Sequence, residues 1–105
     1  MPQFAVYKNR NAATRGRFPL LLDVQSDLLE PLSTRVVVPL SPAATARDLV
    51  MKQLAPILTI DAKQYVMLTP QLAGVSTREL GPSVGNLTAE RPAIVAALDL
   101  LITGI

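Results

Sequence analysis

The stretch TAERPAIVAALDLLITGI, residues 88–105, decides the fold class, because it carries the clearest helical period in the chain. Ile94, Val95, Leu98, Leu101 and Ile102 recur at the spacing of one helix face. Thr88 suits an N-cap, and Glu90 falls in the first turn, where the helix dipole favours negative charge. Pro92 is compatible only with a helix start. Asp99 and Thr103, four apart, share a second face. Gly104 stops the helix and leaves Ile105 as the last residue. A carboxylate beside the negative helix end has two readings: a frayed terminus, or a group clamped by a cation or partner.

Outward from that helix the chain reads as short strands punctuated by nine prolines. Gln3 to Lys8 alternates, with Phe4 and Val6 on one face. Phe18 to Val24 contains Leu20-Leu21-Leu22, and Arg35 to Leu40 contains Val36-Val37-Val38. Unbroken apolar runs of this kind suit strands covered on both faces. Pro19 is expected at an edge or bulge. Ile57 to Ile60 and Gln64 to Leu68 read as a hairpin around Asp61-Ala62-Lys63, a turn without the usual Gly. Val75 to Leu80 supplies one more strand, and Ala43 to Leu54 has the partial period of a short helix. Several strands followed by one helix predict a mainly β or α+β domain, a small barrel, spanning residues 1–105 as one unit.

Composition narrows the function. The 105 residues are 50% apolar, which excludes a disordered chain, and they include no His, Cys or Trp. Without His or Cys a zinc site would rest on carboxylates alone, and Ser–His and Cys–His nucleophile pairs are excluded. We expect no metal and no cofactor. Four aromatic residues, Phe4, Tyr7, Phe18 and Tyr65, argue against a base-stacking platform. The longest apolar run, Ala93 to Leu98, is too short to span a bilayer, and Lys8 interrupts the opening before a secretory signal forms. A cytoplasmic protein with no membrane partner is expected.

Charge is unevenly placed. Lys8, Arg10, Arg15 and Arg17 precede the first acid, so residues 1–22 carry +4 and, the whole being +2, the rest carries −2. This is a solvated basic loop or a docking surface for an acidic partner. Asp23, Asp27 and Glu30 read as structural or partner-facing, since strand-to-loop spacing does not gather them into a catalytic pair. An arginine-based nuclease site would draw on Arg10, Arg15, Arg17 or Arg35 with an acid as base. There is no P-loop or dinucleotide fingerprint. Leu28 and Leu29 either finish the core or form a docking edge.

Gln3-Phe4-Ala5-Val6-Tyr7, the run Leu22-Asp23-Val24-Gln25-Ser26-Asp27-Leu28-Leu29, Arg35-Val36-Val37-Val38-Pro39-Leu40 and the ending Ile102-Thr103-Gly104-Ile105 together resemble the CcdB toxin family over essentially the whole chain. The DVQSDLL run is the most specific element, and an ending in Gly-Ile straight after a helix is the second. The resemblance implies an SH3-like barrel of a main antiparallel sheet plus a smaller one, with a C-terminal helix, assembled as a homodimer. It implies a toxin of a type II toxin–antitoxin system that binds the A subunit of DNA gyrase and traps the cleaved gyrase–DNA complex, by binding and not as an enzyme. It also implies a CcdA-like antitoxin partner with an acidic-leaning segment, and promoter DNA bound only together with that antitoxin.

Carried over by position, the gyrase-facing residues are Ser26, Leu28, Leu29, Asp99, Thr103, Gly104 and Ile105. The antitoxin's acidic segment is expected on Lys8, Arg10, Arg15 and Arg17. The chain departs from the family pattern at Thr103, where well-known members carry Trp, and at Asp99, where they carry Asn or a similar residue. Two alternatives accompany this reading: an endoribonuclease toxin on the same barrel that cuts messenger RNA, and a degenerate toxin that keeps only dimer and antitoxin binding.

Overall fold

In the computed structural model, which describes residues 2–104, the apolar runs become the middle strands of a curled antiparallel sheet. The strands are β1 (Ala5–Asn9), β2 (Leu20–Asp23), β3 (Thr34–Pro42), β4 (Ile57–Ile60), β5 (Lys63–Met67), β6 (Ala73–Ser76) and β7 (Leu80–Asn86). Their order is β4-β5-β3-β2-β1-β7, with β6 also on β3. Val6, Leu22 and Val38 are cross-strand neighbours and share the main core with Phe4, Leu20 and Leu40. Their chain neighbours Ala5, Tyr7, Leu21 and Val37 point the other way into a second cluster. The triple-apolar runs are therefore buried on both faces, as their composition predicted.

β3 serves two partners on one side. Thr34 to Val37 pair with β6, and Leu40 to Pro42 pair with β5. The sheet thus forks into a larger part and a smaller one, curling into a half-barrel. This corrects the expectation that proline closes strands here: β3 continues through Pro39 to Pro42. Pro39 lies between the two partners, where no second ladder asks for its missing N–H, and its carbonyl accepts from Leu68 N at 3.0 Å. Pro82 sits in β7, an edge strand whose register against β1 shifts twice.

Three further boundaries differ from the sequence reading. Val75 to Leu80 is not one strand; a 3-10 turn at Thr77–Glu79, capped by Ser76, separates β6 from β7. The expected helix over Ala43 to Leu54 shrinks to α1 (Ala43–Ala46) and a 3-10 turn, since only Ala43 and Ala46 find core to cover. The β4–β5 hairpin turns on Asp61 and Ala62 alone, with φ +50° and +65°, and Lys63 is already in β5. Both turn residues occupy the left-handed region that a two-residue type I′ turn requires.

α2 (Arg91–Thr103) lays Ile94 and Ala97 into the main core, with Val95 and Leu98 at its margin. Ile102, expected on that stripe, is 71% exposed. Thr88 does not cap α2. It opens a 3-10 turn, Thr88–Glu90, and its N–H and hydroxyl both donate to Asn86 Oδ1. The other end is as read from the sequence: Gly104, at φ +76°, donates its N–H to Leu100 O at 3.1 Å. Among the described residues no helix is long and apolar enough to cross a membrane.

Candidate functional site, a leucine loop braced by a buried ion pair

β2 delivers Asp23 into the protein interior, and β3 delivers Arg35 opposite it; neither side chain has exposed surface. Arg35 Nη2 lies 2.8 Å and Nε 2.9 Å from Asp23 Oδ2, a two-pronged pair. Arg35 Nη1 also reaches Glu30 Oε2 at 3.3 Å. Burial pushes the Asp23 carboxyl above its ordinary range, against the lowering pull of its hydrogen bonds from Arg35 and from Gln25 N–H. The Tyr7 hydroxyl is pushed up as well, first by burial and then by the Asp23 charge. Asp23 is therefore a structural carboxylate.

That pair anchors the loop between β2 and β3. Gln25 accepts from Val36 N at 3.0 Å and donates to Leu29 O at 3.2 Å. Ser26 Oγ accepts from Leu28 N, capping a 3-10 turn at Asp27–Leu29. Asp27 Oδ1 accepts from Gln3 N at 2.7 Å. With Gln25 buried and Ser26 and Asp27 hydrogen-bonded to backbone N–H groups, the loop projects Leu28 at 90% exposure, Leu29 at 48% and Leu32 at 50%. The reading in which Leu28 and Leu29 finish the core is thus overturned. Leu32 was not singled out from the sequence, where it follows Pro31 without a period to mark it.

Gln3, which donates its N–H to Asp27 in the loop, also links it to the start of α2. Arg91 donates to Gln3 Oε1 at 3.5 Å and lies 5.5 Å from the centre of the Phe4 ring. Phe4 holds a left-handed φ of +68°, unusual for a bulky residue, between bonds from its N–H to Asp23 O and from Leu87 N–H to its carbonyl. From Arg91 the helix runs 13 residues. At 1.5 Å per residue its far end is about 18 Å from its start. Asp99, Thr103 and Gly104 are exposed there, and Thr103 Oγ1 donates to Asp99 O at 2.7 Å, so those two do share a face. Ser26, Leu28 and Leu29 thus lie together on a loop linked through Gln3 to the start of α2, while Asp99, Thr103 and Gly104 sit at the far end of that helix. Ile105 lies outside the described residues.

Lys8, Arg10, Arg15 and Arg17 are all exposed, on β1 and the loop that follows it. A network the sequence did not announce shapes that loop. Asn9 Nδ2 donates to Thr14 Oγ1 and Phe18 O, and Asn11 Nδ2 donates to Glu79 Oε1 at 2.8 Å. Arg17 lies over the Phe18 ring at 4.9 Å. Of the four arginines considered for nuclease chemistry, Arg35 is fully buried and does not reach a phosphate at the surface.

A family model described as CcdB protein matches residues 3–104. A solved structure described as "Endoribonuclease in complex with its cognate antitoxin from Mycobacterial species" has a TM-score of 0.76 and 17% identity, over 97% of this chain and 94% of that one. That likeness is one of fold, a curled antiparallel sheet with a C-terminal helix. The match over nearly the whole length shows that the chain belongs to the CcdB family, toxins of toxin–antitoxin pairs.

Proposed function

We propose that this chain poisons DNA gyrase: it binds the A subunit and holds the enzyme in its cleaved, DNA-linked state. It does so as a binding protein, without chemistry of its own, in the cytoplasm where its target works. The observation that carries this reading is the leucine loop. Leu28, Leu29 and Leu32 are large apolar side chains left in water on a segment tied down at Asp23, Gln25, Ser26 and Asp27. A rigid apolar projection loses little conformational freedom on docking, which favours association. Burying these side chains at an interface removes apolar surface from water, which also favours association.

We infer that the working unit is a homodimer. A two-fold dimer doubles the leucine loop and the exposed helix end, matching a two-fold target. The residues assigned to gyrase are Ser26, Leu28, Leu29, Asp99, Thr103, Gly104 and Ile105; those assigned to the antitoxin are Lys8, Arg10, Arg15 and Arg17. The test is incubation of purified protein with gyrase, supercoiled plasmid and ATP, with a labelled RNA in parallel. Linear plasmid released by detergent and protease supports the proposal. RNA fragments without linear plasmid mean an endoribonuclease, and neither product means a toxin reduced to dimer and antitoxin binding.

A further inference from the structure

We propose that Gln3 and Asp27 are positioning residues: together they clasp the leucine loop to the start of α2 and set the direction in which Leu28 and Leu29 are presented. This clasp is separate from the Asp23–Arg35 brace. The brace holds the loop from the β3 side, through Gln25 and Glu30. The clasp holds it from the chain segment before β1.

The segment gets there by leaving the sheet. With Val6 opposite Leu22, a longer β1 would carry Phe4 opposite Val24 and continue toward Ser26. Instead Phe4 takes φ +68°, and Ala5 N–H closes a turn on Pro2 O at 3.2 Å. A bulky residue adopts that backbone only at a cost, so the surroundings must hold it. Phe4 N–H donates to Asp23 O, and Leu87 N–H donates to Phe4 O at 2.8 Å. Gln3 then bonds to three different segments. Its N–H donates to Asp27 Oδ1 at 2.7 Å, its Nε2 donates to Val24 O at 3.2 Å, and its Oε1 accepts from Arg91 Nη1 at 3.5 Å. The Asp27 bond falls on the first residue of the 3-10 turn that carries Leu28 and Leu29.

Arg91 marks the clasp as more than core packing. It is the first residue of α2, where the positive end of the helix repels a cation. Helix stability alone would favour an acid there. The guanidinium lies 5.5 Å from the centre of the Phe4 ring and on Gln3, so both contacts that offset the repulsion belong to the clasp. Asp27 is exposed and Gln3 half-buried, so neither is needed to fill the core. What the loop docks against rests on the proposed function; the clasp itself does not.

The test is amide hydrogen exchange followed by NMR, with titration against the gyrase A subunit. Leu29, Glu30 and Leu32 report on the loop, since each N–H is bonded within it, and the buried Val38 and Ala97 are references. Asp27→Ala is expected to speed the loop amides about fivefold, the factor of one hydrogen bond, with the references unchanged. Asp27→Asn keeps an acceptor oxygen and is expected to restore the parent rates. Gln3→Ala, which leaves Asp27 in place, is expected to speed them about threefold. Arg91→Glu suits the helix dipole but breaks the clasp, so Tm holds or rises while the loop amides speed up about twofold. Affinity for the gyrase A subunit is expected to fall in the same order across these variants. Unchanged loop amides in Asp27→Ala, equal acceleration of loop and reference amides, or failure of Asp27→Asn to restore the rates overturns the proposal. Faster loop exchange with undiminished gyrase affinity overturns the positioning role as well. A parent protein that neither binds gyrase nor yields linear plasmid defeats the toxin reading instead, and the exchange rates still decide the clasp.

Discussion

The two ends of the β2–β3 hairpin solve the problem of presenting a surface in opposite ways. At the loop end, charge is buried and apolar groups are exposed: Asp23 and Arg35 lie inside, and Leu28, Leu29 and Leu32 face water. At the far end, charge is exposed and apolar groups are covered: Arg17 lines a hollow whose walls include Ala46 and Leu68. β3 has nine residues, so the ends lie roughly 25 Å apart. The contrast teaches what the buried ion pair between Asp23 and Arg35 does structurally. It fixes a loop so that its neighbours project.

Breaking the brace has the largest expected effect. Arg35→Met leaves the Asp23 carboxylate buried without its cation, and such changes cost about 3–5 kcal/mol. Chemical denaturation checks this, and adding Asp23→Leu is expected to recover most of the loss. The recovered double variant then lacks the anchor that holds the loop, so its stability returns while its loop amides exchange faster.

Leu28→Asp attacks the projection without touching the brace. A side chain 90% exposed contributes little to folding, so stability stays within about 0.5 kcal/mol of the parent. Loss of an anchor of about 2 kcal/mol lowers affinity for the gyrase A subunit roughly thirtyfold, readable by titration calorimetry. Thr103→Trp is the complementary gain. Adding a large aromatic surface at the exposed helix end is expected to tighten the same complex about tenfold, with Tm unchanged.

The smallest effect sharpens the far end. Ala62 holds φ +65° in the β4–β5 turn, a conformation that disfavours any side chain. Ala62→Gly is expected to stabilise the protein by about 1 kcal/mol in thermal melts, and to leave the gyrase interaction as it is.

Much of this was legible in the sequence because the physics is local. The triple runs at Leu20 and Val36 and Gly104 after the last helical turn each specify backbone within a few residues; the strand expected from Gln3 starts only at Ala5, because Phe4 takes a left-handed φ. What was not legible needed partners far along the chain. Pro39 passes through β3 because β5 and β6 divide that strand between them, and residues 38–39 contain nothing that says so. The split of β6 from β7 rests on a Ser76 cap without Gly or Pro to announce it. Thr88 was a sound cap by residue type, but Asn86 lies two residues upstream and receives its N–H.

The site divides along the same line. Leu28 and Leu29 stand out as a pair in the sequence, and their exposure does not, because it depends on Arg35 crossing to Asp23 from another strand. The basic loop is visible as a run of charge. The network that shapes it is not, since Asn11 bonds to Glu79 from 68 residues along the chain.

The most direct measurement is the gyrase cleavage assay run on three proteins: the parent, Leu28→Asp and Ala62→Gly. Detergent-released linear plasmid is expected with the parent and with Ala62→Gly, and its loss with Leu28→Asp at unchanged Tm. Linear plasmid formed equally well by Leu28→Asp, or by none of the three, would contradict that expectation.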